Sequence, residues 1–176
     1  MIIRRGKAED LPAIQAFYAE VVPTIELAVT SWVPGVYPSA ETAEKAIEMQ
    51  TMFVALIEDK VVGSVILNHE ADEEYKALSW HNPQLSADEV LIIHTLMTSP
   101  SHRKQGIAVQ LLNFAIDFAK EQKCQAIRLD TFAANQPARQ LYEKLGFRNC
   151  GTGELPSWDG KGTDTCVFFE LNLVNR

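Results

Sequence analysis

The segment Pro100–Ala108, PSHRKQGIA, places cationic side chains and a glycine directly before a helix-like sequence. The first turn of a helix has free backbone N–H groups at the positive end of its dipole, where phosphate oxygens bind. Gly106 permits a tight turn, Ala108 keeps the helix start narrow, and Arg103 and Lys104 add positive charge. The segment therefore predicts a phosphate-binding loop, with an ordinary exposed strand–helix turn as the alternative.

Two common phosphate-binding motifs do not occur in the sequence. It contains no GxxxxGK[ST], which excludes a P-loop. It also contains no GxGxxG, which excludes a dinucleotide fingerprint. The loop must therefore bind phosphate in another structural context, if it binds phosphate at all.

His94 lies on the strand that precedes this loop, and an imidazole titrates close to neutral pH. Side chains alternate along a strand, so Ile92, His94 and Leu96 are expected on one face. His94 is a candidate general base, and a histidine packed in the sheet with one hydrogen bond is the alternative. Glu89, at the open end of the strand, is a second candidate base, and a water chain without a dedicated base is a third.

Hydrophobic patterning predicts the strands and helices that must position these groups. Strands are expected at Ile2–Arg5, Met52–Glu58, Val61–Asn68, Glu89–Thr98, Ala126–Phe132, Phe147–Cys150 and Asp164–Leu173. Helices are expected at Asp10–Val22, Ser39–Gln50, Gly106–Gln122 and Gln136–Leu145. The expected helix caps are Asp10, Ser39 and Asn135, and Asp59-Lys60 is the expected hairpin turn. This order predicts a mixed sheet with flanking helices.

Composition limits the class of protein. Apolar residues make up 47% of the 176 residues and charged residues 22%, which is typical of a globular protein with one domain over residues 1–176. The net charge of −7 argues against nucleic-acid binding, because affinity for phosphate backbones comes from clustered Lys and Arg.

The cysteines and the apolar segments bear on compartment. Cys124, Cys150 and Cys166 form no CxxC and are odd in number, so we expect reduced thiols, a cytoplasmic location and no metal site. The N-terminal sequence MIIRRGKAED lacks the apolar core of a signal peptide. Uncharged stretches such as Leu27–Ala40 are too short to span a bilayer, so no membrane association is expected.

Two motifs resemble those of one protein family. The segment His94–Ala108, HTLMTSPSHRKQGIA, resembles the acyl-CoA pyrophosphate motif of the GNAT superfamily of N-acetyltransferases, L-x-V-x-P followed by [RQ]-x-x-G-x-[GA]. The residues that fit are Leu96, Pro100, Arg103, Gly106 and Ala108, while Thr98 replaces the usual Val. Asn135 followed by ARQLYEKLGF, Ala138–Phe147, resembles the second signature. Both motifs occur in the usual order and at normal spacing within residues 91–147.

The resemblance implies a fold and an activity. The fold would be α/β, a mixed and mostly antiparallel central sheet of about six to seven strands with helices on both faces. The activity would be transfer of an acetyl group from acetyl-CoA to a primary amine by direct attack of the amine. The acceptor would be a small amine or a peptide or protein amine, and many relatives form homodimers. A non-catalytic acyl-CoA-binding module and a general phosphate-ligand binder are the alternatives.

The resemblance also implies which residues hold the cofactor. Leu96, Met97 and Thr98 would offer backbone groups to the pantetheine arm beside a strand bulge. Asn135 would hydrogen-bond the same arm. Backbone N–H groups would bind the pyrophosphate, and they belong to Arg103, Lys104, Gln105, Gly106, Ile107 and Ala108.

The resemblance further implies catalytic roles. Tyr142 would be the general acid that protonates the departing thiolate, with a packed core tyrosine as the alternative. A backbone N–H of Thr98 or its neighbour would stabilise the oxyanion. Many members carry Glu at the position of Ile92, whereas His94 resembles a strand histidine that arylalkylamine-type members use as a base.

Three irregular segments would form the acceptor pocket: Thr24–Pro38, Glu70–Asp88 and Glu154–Gly162. They contain five aromatic residues that could stack on a substrate or cover the core, namely Trp32, Tyr37, Tyr75, Trp80 and Trp158. The acidic run Glu70–Glu74 could attract an amine, although a solvated loop explains it equally well.

Overall fold

A computed structural model describes residues 1–174 of the chain. Its strands are β1 Ile2–Arg5, β2 Met52–Ile57, β3 Lys60–Asn68, β4 Val90–Thr98, β5 Ala126–Phe132, β6 Arg148–Pro156 and β7 Thr163–Asn172. Its α-helices are α1 Leu11–Val21, α2 Ala40–Glu48, α3 Ile107–Glu121 and α4 Gln136–Lys144, with short 3-10 turns between several elements.

The seven strands within residues 1–174 form a mixed sheet in the order β1-β2-β3-β4-β5-β7-β6. The pairs β1–β2, β2–β3, β5–β7 and β6–β7 are antiparallel, whereas β4 and β5 run parallel. The prediction of a mixed, mostly antiparallel sheet of six to seven strands is confirmed.

The chain divides into two compact units. Unit 1 comprises residues 1–26, 32–67 and 93–115, and its core joins α1 and α2 to β2 around Ile14, Phe17 and Met52. Unit 2 comprises residues 27–31, 68–92 and the described residues from 116 onward, and its core includes Trp80 and Phe168. A single domain over residues 1–176 stays a prediction.

Local sequence explains most helix ends. Ser39 Oγ accepts a hydrogen bond from the Thr42 N–H and begins α2, and Asn135 Oδ1 accepts from the Ala138 N–H and begins α4. Asp10 does not cap α1 as predicted. A 3-10 turn precedes that helix, so the Asp10 carboxylate instead accepts from the Lys7 N–H at 2.8 Å and from Arg4 at 2.6 Å.

Most strand boundaries lie within one residue of the prediction, and the differences that affect the account concern the β2–β3 turn and the end of β6. Ile57 pairs with Lys60, so the hairpin turn is Glu58-Asp59 with φ values of 48° and 61°, one residue earlier than expected. Strand β6 continues to Pro156 because it forms a hairpin with β7, and it takes Glu154–Pro156 out of the predicted acceptor loop.

Candidate functional site

The predicted phosphate loop has the backbone of an anion site. After the turn at Pro100–His102, Lys104 and Gly106 adopt φ values of 63° and 73°, and α3 begins at Ile107. The Gln110 N–H donates to the Gly106 carbonyl at 3.0 Å, so the N–H groups before it have no partner within the helix. Gly106 is required for its positive φ and not for space, since an added Cβ would lie 4.0 Å from its nearest neighbour.

The loop presents its cations to solvent and anchors its apolar residue. Arg103, Lys104 and Gln105 are exposed, whereas Ile107 is buried. The Ser99 N–H donates to the Val62 carbonyl at 2.8 Å and fixes the end of β4 against β3. The charged side chains are therefore open to solvent on a loop whose first residues are fixed to β3.

Gly63 on β3 leaves room for the start of α3 to pack closely on the sheet, a role that sequence reasoning missed. A Cβ at Gly63 would lie 2.9 Å from Ile107, 3.0 Å from Leu111 and 3.2 Å from the Met97 carbonyl oxygen. Only glycine lets β4 and the first turns of α3 approach this closely. An isolated glycine inside a strand is the signal that could have identified the position.

Strand β4 is irregular where the pantetheine contacts were predicted. Thr95 has a φ of 51° inside the strand, directly before Leu96, Met97 and Thr98. Tyr37, from the predicted acceptor loop Thr24–Pro38, shares a hydrogen bond of 2.5 Å with the Thr95 hydroxyl. Strand β4 pairs with β5 from Val90 to Ile92, before this irregularity. The positive φ of Thr95 is therefore the irregularity that lies next to the predicted pantetheine contacts, and the bulge itself stays a prediction.

The two candidate bases differ in environment. His94 is half-buried on β4. Glu89 accepts hydrogen bonds from the backbone and hydroxyl of Ser86 at 2.9 and 2.7 Å and from the Gln125 side chain. The bonds from Ser86 lower the pKa of Glu89 below its usual range, which makes that carboxylate a weak base.

Tyr142 is a buried side chain on α4 with 6% of its surface exposed. Its ring packs at tilted angles against Phe169 and Phe147, with centroids 5.5 and 5.9 Å away. Burial raises the pKa of the Tyr142 hydroxyl, and the charge of Asp130 raises it further. Tyr142 therefore keeps its proton at neutral pH, as a proton donor must.

Asp130 on β5 is a second titratable residue that sequence reasoning missed. It accepts a hydrogen bond from the Tyr75 hydroxyl at 2.8 Å. Burial raises the pKa of the Asp130 carboxyl to about 6, although the bond from Tyr75 opposes that shift. The signal in the sequence was a pair of charged residues, Arg128 and Asp130, two apart in the otherwise mostly apolar strand AIRLDTF.

The five aromatic residues of the predicted acceptor segments differ in burial. Tyr75 and Trp80 lie in the core of unit 2, and Trp32 packs against the core of unit 1. Trp158 is 43% exposed near the tip of the β6–β7 hairpin. For Tyr75 and Trp80 the core alternative is thus correct, although the Tyr75 hydroxyl still reaches Asp130.

Other sequence-based expectations concern cysteines, metals and membranes. Cys124, Cys150 and Cys166 are buried free thiols, as predicted. Within residues 1–174 no three His, Cys, Asp or Glu side chains are grouped closely enough to hold a metal ion. None of the helices described there has the length and apolar character needed to cross a membrane.

Comparisons with known proteins agree with this arrangement. Residues 22–147 match the Acetyltransferase (GNAT) family. The chain is 32% identical over 106 residues to N-acetyltransferase 8 of Homo sapiens, which covers 60% of this chain and 42% of that protein. It is 28% identical over 127 residues to the probable N-acetyltransferase camello of Xenopus tropicalis, which covers 72% of this chain and 52% of that protein. The chain thus spans about half the length of these relatives.

Solved structures show the same fold. A putative acetyltransferase of Staphylococcus aureus Mu50 has a TM-score of 0.69 and 26% identity, covering 98% of this chain and 99% of that one. A putative acetyltransferase of Salmonella typhimurium, solved with its cofactor acetyl-CoA, has a TM-score of 0.70 and 17% identity. That comparison covers 98% of this chain and 94% of the other.

Proposed function

The chain belongs to the GNAT acetyltransferase family, and we propose that it is an acyl-CoA-dependent N-acetyltransferase that moves an acetyl group from acetyl-CoA to a primary amine. The observation that carries the proposal is the loop before α3. Its positive-φ glycine precedes free helix N–H groups, and three exposed polar or cationic residues flank it. These features suit the pyrophosphate of acyl-CoA.

The residues that would hold acetyl-CoA are those predicted from the sequence. Backbone N–H groups of Arg103, Lys104, Gly106, Ile107 and Ala108 bind the pyrophosphate, whereas the Gln105 N–H, which the sequence also suggested, already donates to the His102 carbonyl at 3.4 Å. Leu96, Met97 and Thr98 offer strand backbone groups to the pantetheine arm next to the irregular Thr95. Asn135 contributes its amide NH2 to the arm, because its Oδ1 caps α4.

Acetyl-CoA supplies an activated thioester, and the protein supplies positioning and proton transfer. A backbone N–H at Thr98 or its neighbour polarises the thioester carbonyl. As the acceptor nitrogen forms its bond to the acetyl carbon, the carbon–sulfur bond breaks and Tyr142 gives its proton to the sulfur. The raised pKa of Tyr142 supports this role, since the hydroxyl stays protonated until a thiolate develops.

The acceptor nitrogen must also lose a proton, and His94 is the side chain that we propose takes it. Its half-buried position on β4 supports the role, because an imidazole there is neither fully enclosed nor fully solvated and histidine is the commonest general base. A water chain is the alternative, while the bonded carboxylate of Glu89 is less suited. Replacing His94 with Gln is expected to lower kcat by about 10²-fold and to flatten the acidic limb of the pH–rate profile. An unchanged profile would exclude His94 as the base.

The proposal is tested by release of free CoA thiol from acetyl-CoA in the presence of a small polyamine, an arylalkylamine and a lysine-containing peptide with a free N-terminus. Amine-dependent thiol release, with the acetylated amine seen by mass spectrometry, supports the enzyme. Binding of acetyl-CoA without transfer to any amine would favour the alternative, a non-catalytic acyl-CoA-binding module. The acceptor, a homodimeric state and a cytoplasmic location stay predictions.

A further inference from the structure

Glu170 and Asp130 lie on the same face of the sheet, but the register of β5 against β7 places them in contrasting surroundings. Arg128 pairs with Glu170 across the strands, whereas Asp130 pairs with Phe168. Glu170 is 2% exposed and fully compensated. It accepts from Arg128 Nε at 2.9 Å and from the His81 N–H at 2.6 Å, and Arg148 lies at 3.9 Å.

Asp130 has no comparable compensation among the described residues that act on it. Its hydrogen-bond donors are all neutral: the Tyr75 hydroxyl at 2.8 Å, the weakly donating thiol of Cys166 and its own backbone N–H. The charged residue that acts on it most is Asp72, which is itself an anion. The Tyr142 hydroxyl, from α4, is close enough for the Asp130 charge to raise its pKa. A partly buried carboxylate thus faces two tyrosines, a thiol and another acid.

Tyr75 is held rigidly in the position from which it bonds Asp130. Its side chain is 3% exposed and packs edge-to-face on Phe168, with ring centroids 5.0 Å apart. Trp80 Nε1 donates to the Tyr75 carbonyl at 2.6 Å and locks the backbone of the segment. Trp80 is itself stacked under Arg128 at 4.3 Å, so the compensated ion pair helps to support the residue that orients Asp130.

We propose that Asp130 binds the ammonium group of the acceptor amine, with Tyr75 as a positioning residue. The inference rests on the proposed function and adds that the acceptor arrives as a cation. A charged carboxylate is costly away from water unless a counter-charge reaches it, and a primary ammonium offers that charge with three N–H donors. Asp130 is half-buried as a residue and not fully enclosed, which leaves part of it open to an approaching ligand. Binding there holds the amine near the Tyr142 hydroxyl.

The test measures binding of butylamine to the protein saturated with CoA, by calorimetry between pH 5 and pH 8. Without an acetyl group no transfer occurs, and butylamine stays protonated throughout because an alkylammonium has a pKa of about 10.4. Butylamine affinity is expected to fall about tenfold between pH 7 and pH 5, as Asp130 with its pKa of about 6 becomes neutral. Butanol, which has the same chain but no charge, is expected to bind without pH dependence.

Three variants separate recognition from structure. Asp130→Asn is expected to weaken butylamine at least tenfold at pH 7 and to remove the pH dependence. Tyr75→Phe is expected to move the midpoint to higher pH, because the Tyr75 bond lowers the pKa of Asp130. Asp117→Asn, a change at an exposed acid in the middle of α3 and outside the predicted acceptor segments, is the matched control and leaves the binding curve unchanged.

Two results would overturn the proposal. One is a wild-type protein that prefers butylamine over butanol by less than twofold at pH 7. The other is an Asp130→Asn protein, folded by its melting curve, that keeps the wild-type affinity and pH dependence. Loss of acetyl transfer to every amine while butylamine still binds through Asp130 would instead count against the proposed enzyme, so the two failures are distinguishable.

Discussion

The loop before α3 offers mainly backbone groups to a ligand, whereas the strand face around Asp130 offers side chains. The loop uses backbone N–H groups, a positive-φ glycine and exposed cations that make no fixed contacts in the described structure. The strand face uses side chains whose charges are decided by cross-strand pairing, Arg128 with Glu170 and Asp130 with Phe168. Ligand binding by the loop should therefore tolerate changes of side chain but not of backbone geometry. The strand face should respond even to a change of one side-chain atom.

The largest effect is expected on stability, from replacing Glu170, whose charge is compensated by Arg128. Glu170→Gln leaves Arg128 buried without its anion and should lower the free energy of unfolding by about 3 kcal/mol. Asp130→Asn should have the opposite sign at pH 7, because the folded protein then no longer holds a poorly compensated charge. The pKa of Asp130 is raised on folding, so its charge costs stability only above the unfolded pKa of about 3.8.

Melting temperatures of the two variants at pH 7 and pH 4 check this contrast. The rise in melting temperature caused by Asp130→Asn should shrink toward zero at pH 4, because Asp130 in the folded wild-type protein is then mostly protonated and as neutral as the asparagine. Equal destabilisation by both variants at pH 7 would show that the two carboxylates are equivalent structural groups.

Tyr142→Phe should have the next largest effect, and on rate alone. Losing the hydroxyl removes the proposed proton donor and should lower kcat by about 10²-fold. The KM for acetyl-CoA should change less than twofold, because the ring keeps its packing on Phe147 and Phe169. Steady-state kinetics measure both constants. A rate within threefold of wild type would identify Tyr142 as a packed core residue.

Gly106→Val tests the backbone geometry of the loop. A β-branched residue is strained at a φ of 73°, so the loop must rearrange and acetyl-CoA affinity should fall at least tenfold. Gly160→Val is the matched control, since Gly160 has a φ of 72° and open space on the β6–β7 hairpin. The control should lose similar stability and keep its acetyl-CoA affinity, and a shared loss of affinity would point to general destabilisation.

The smallest effects are expected from the exposed cations of the loop. Arg103→Ala and Lys104→Ala should each weaken acetyl-CoA by about two- to fivefold at low salt, since exposed charges interact weakly with ligands. The loss should fade at 0.5 M salt, as titrations at both ionic strengths would show. A loss above 50-fold that salt does not reduce would mean that side chains and not the backbone hold the pyrophosphate.

Sequence reasoning predicted the backbone features better than the side-chain ones, for a physical reason. The loop and the helix caps at Ser39 and Asn135 depend on neighbours within a few residues, so the local sequence contains them. The predicted cap at Asp10 was wrong because its carboxylate accepts hydrogen bonds from residues of the preceding turn and strand. The β2–β3 hairpin turn was predicted one residue too late.

The chemistry of Asp130 depends on contacts that the local sequence does not contain. Its cross-strand neighbour Phe168 lies 38 residues away, and its bonding partner Tyr75 lies 55 residues away. If β7 were shifted by two residues, Glu170 would lie opposite Asp130 instead of Arg128. Neither acid would then keep the surroundings described above. The motif that identified the loop carried no information about this register.

The central claim is that the loop before α3 binds acyl-CoA, and ligand-dependent melting tests it most directly. Acetyl-CoA at about 100 times its Kd should add roughly 2.7 kcal/mol and raise the melting temperature by about 5–10 °C. ATP at the same concentration should raise it little, and Gly106→Val should need at least tenfold more acetyl-CoA for the same rise. No rise with acetyl-CoA up to millimolar concentration, or an equal rise with ATP, would contradict the account.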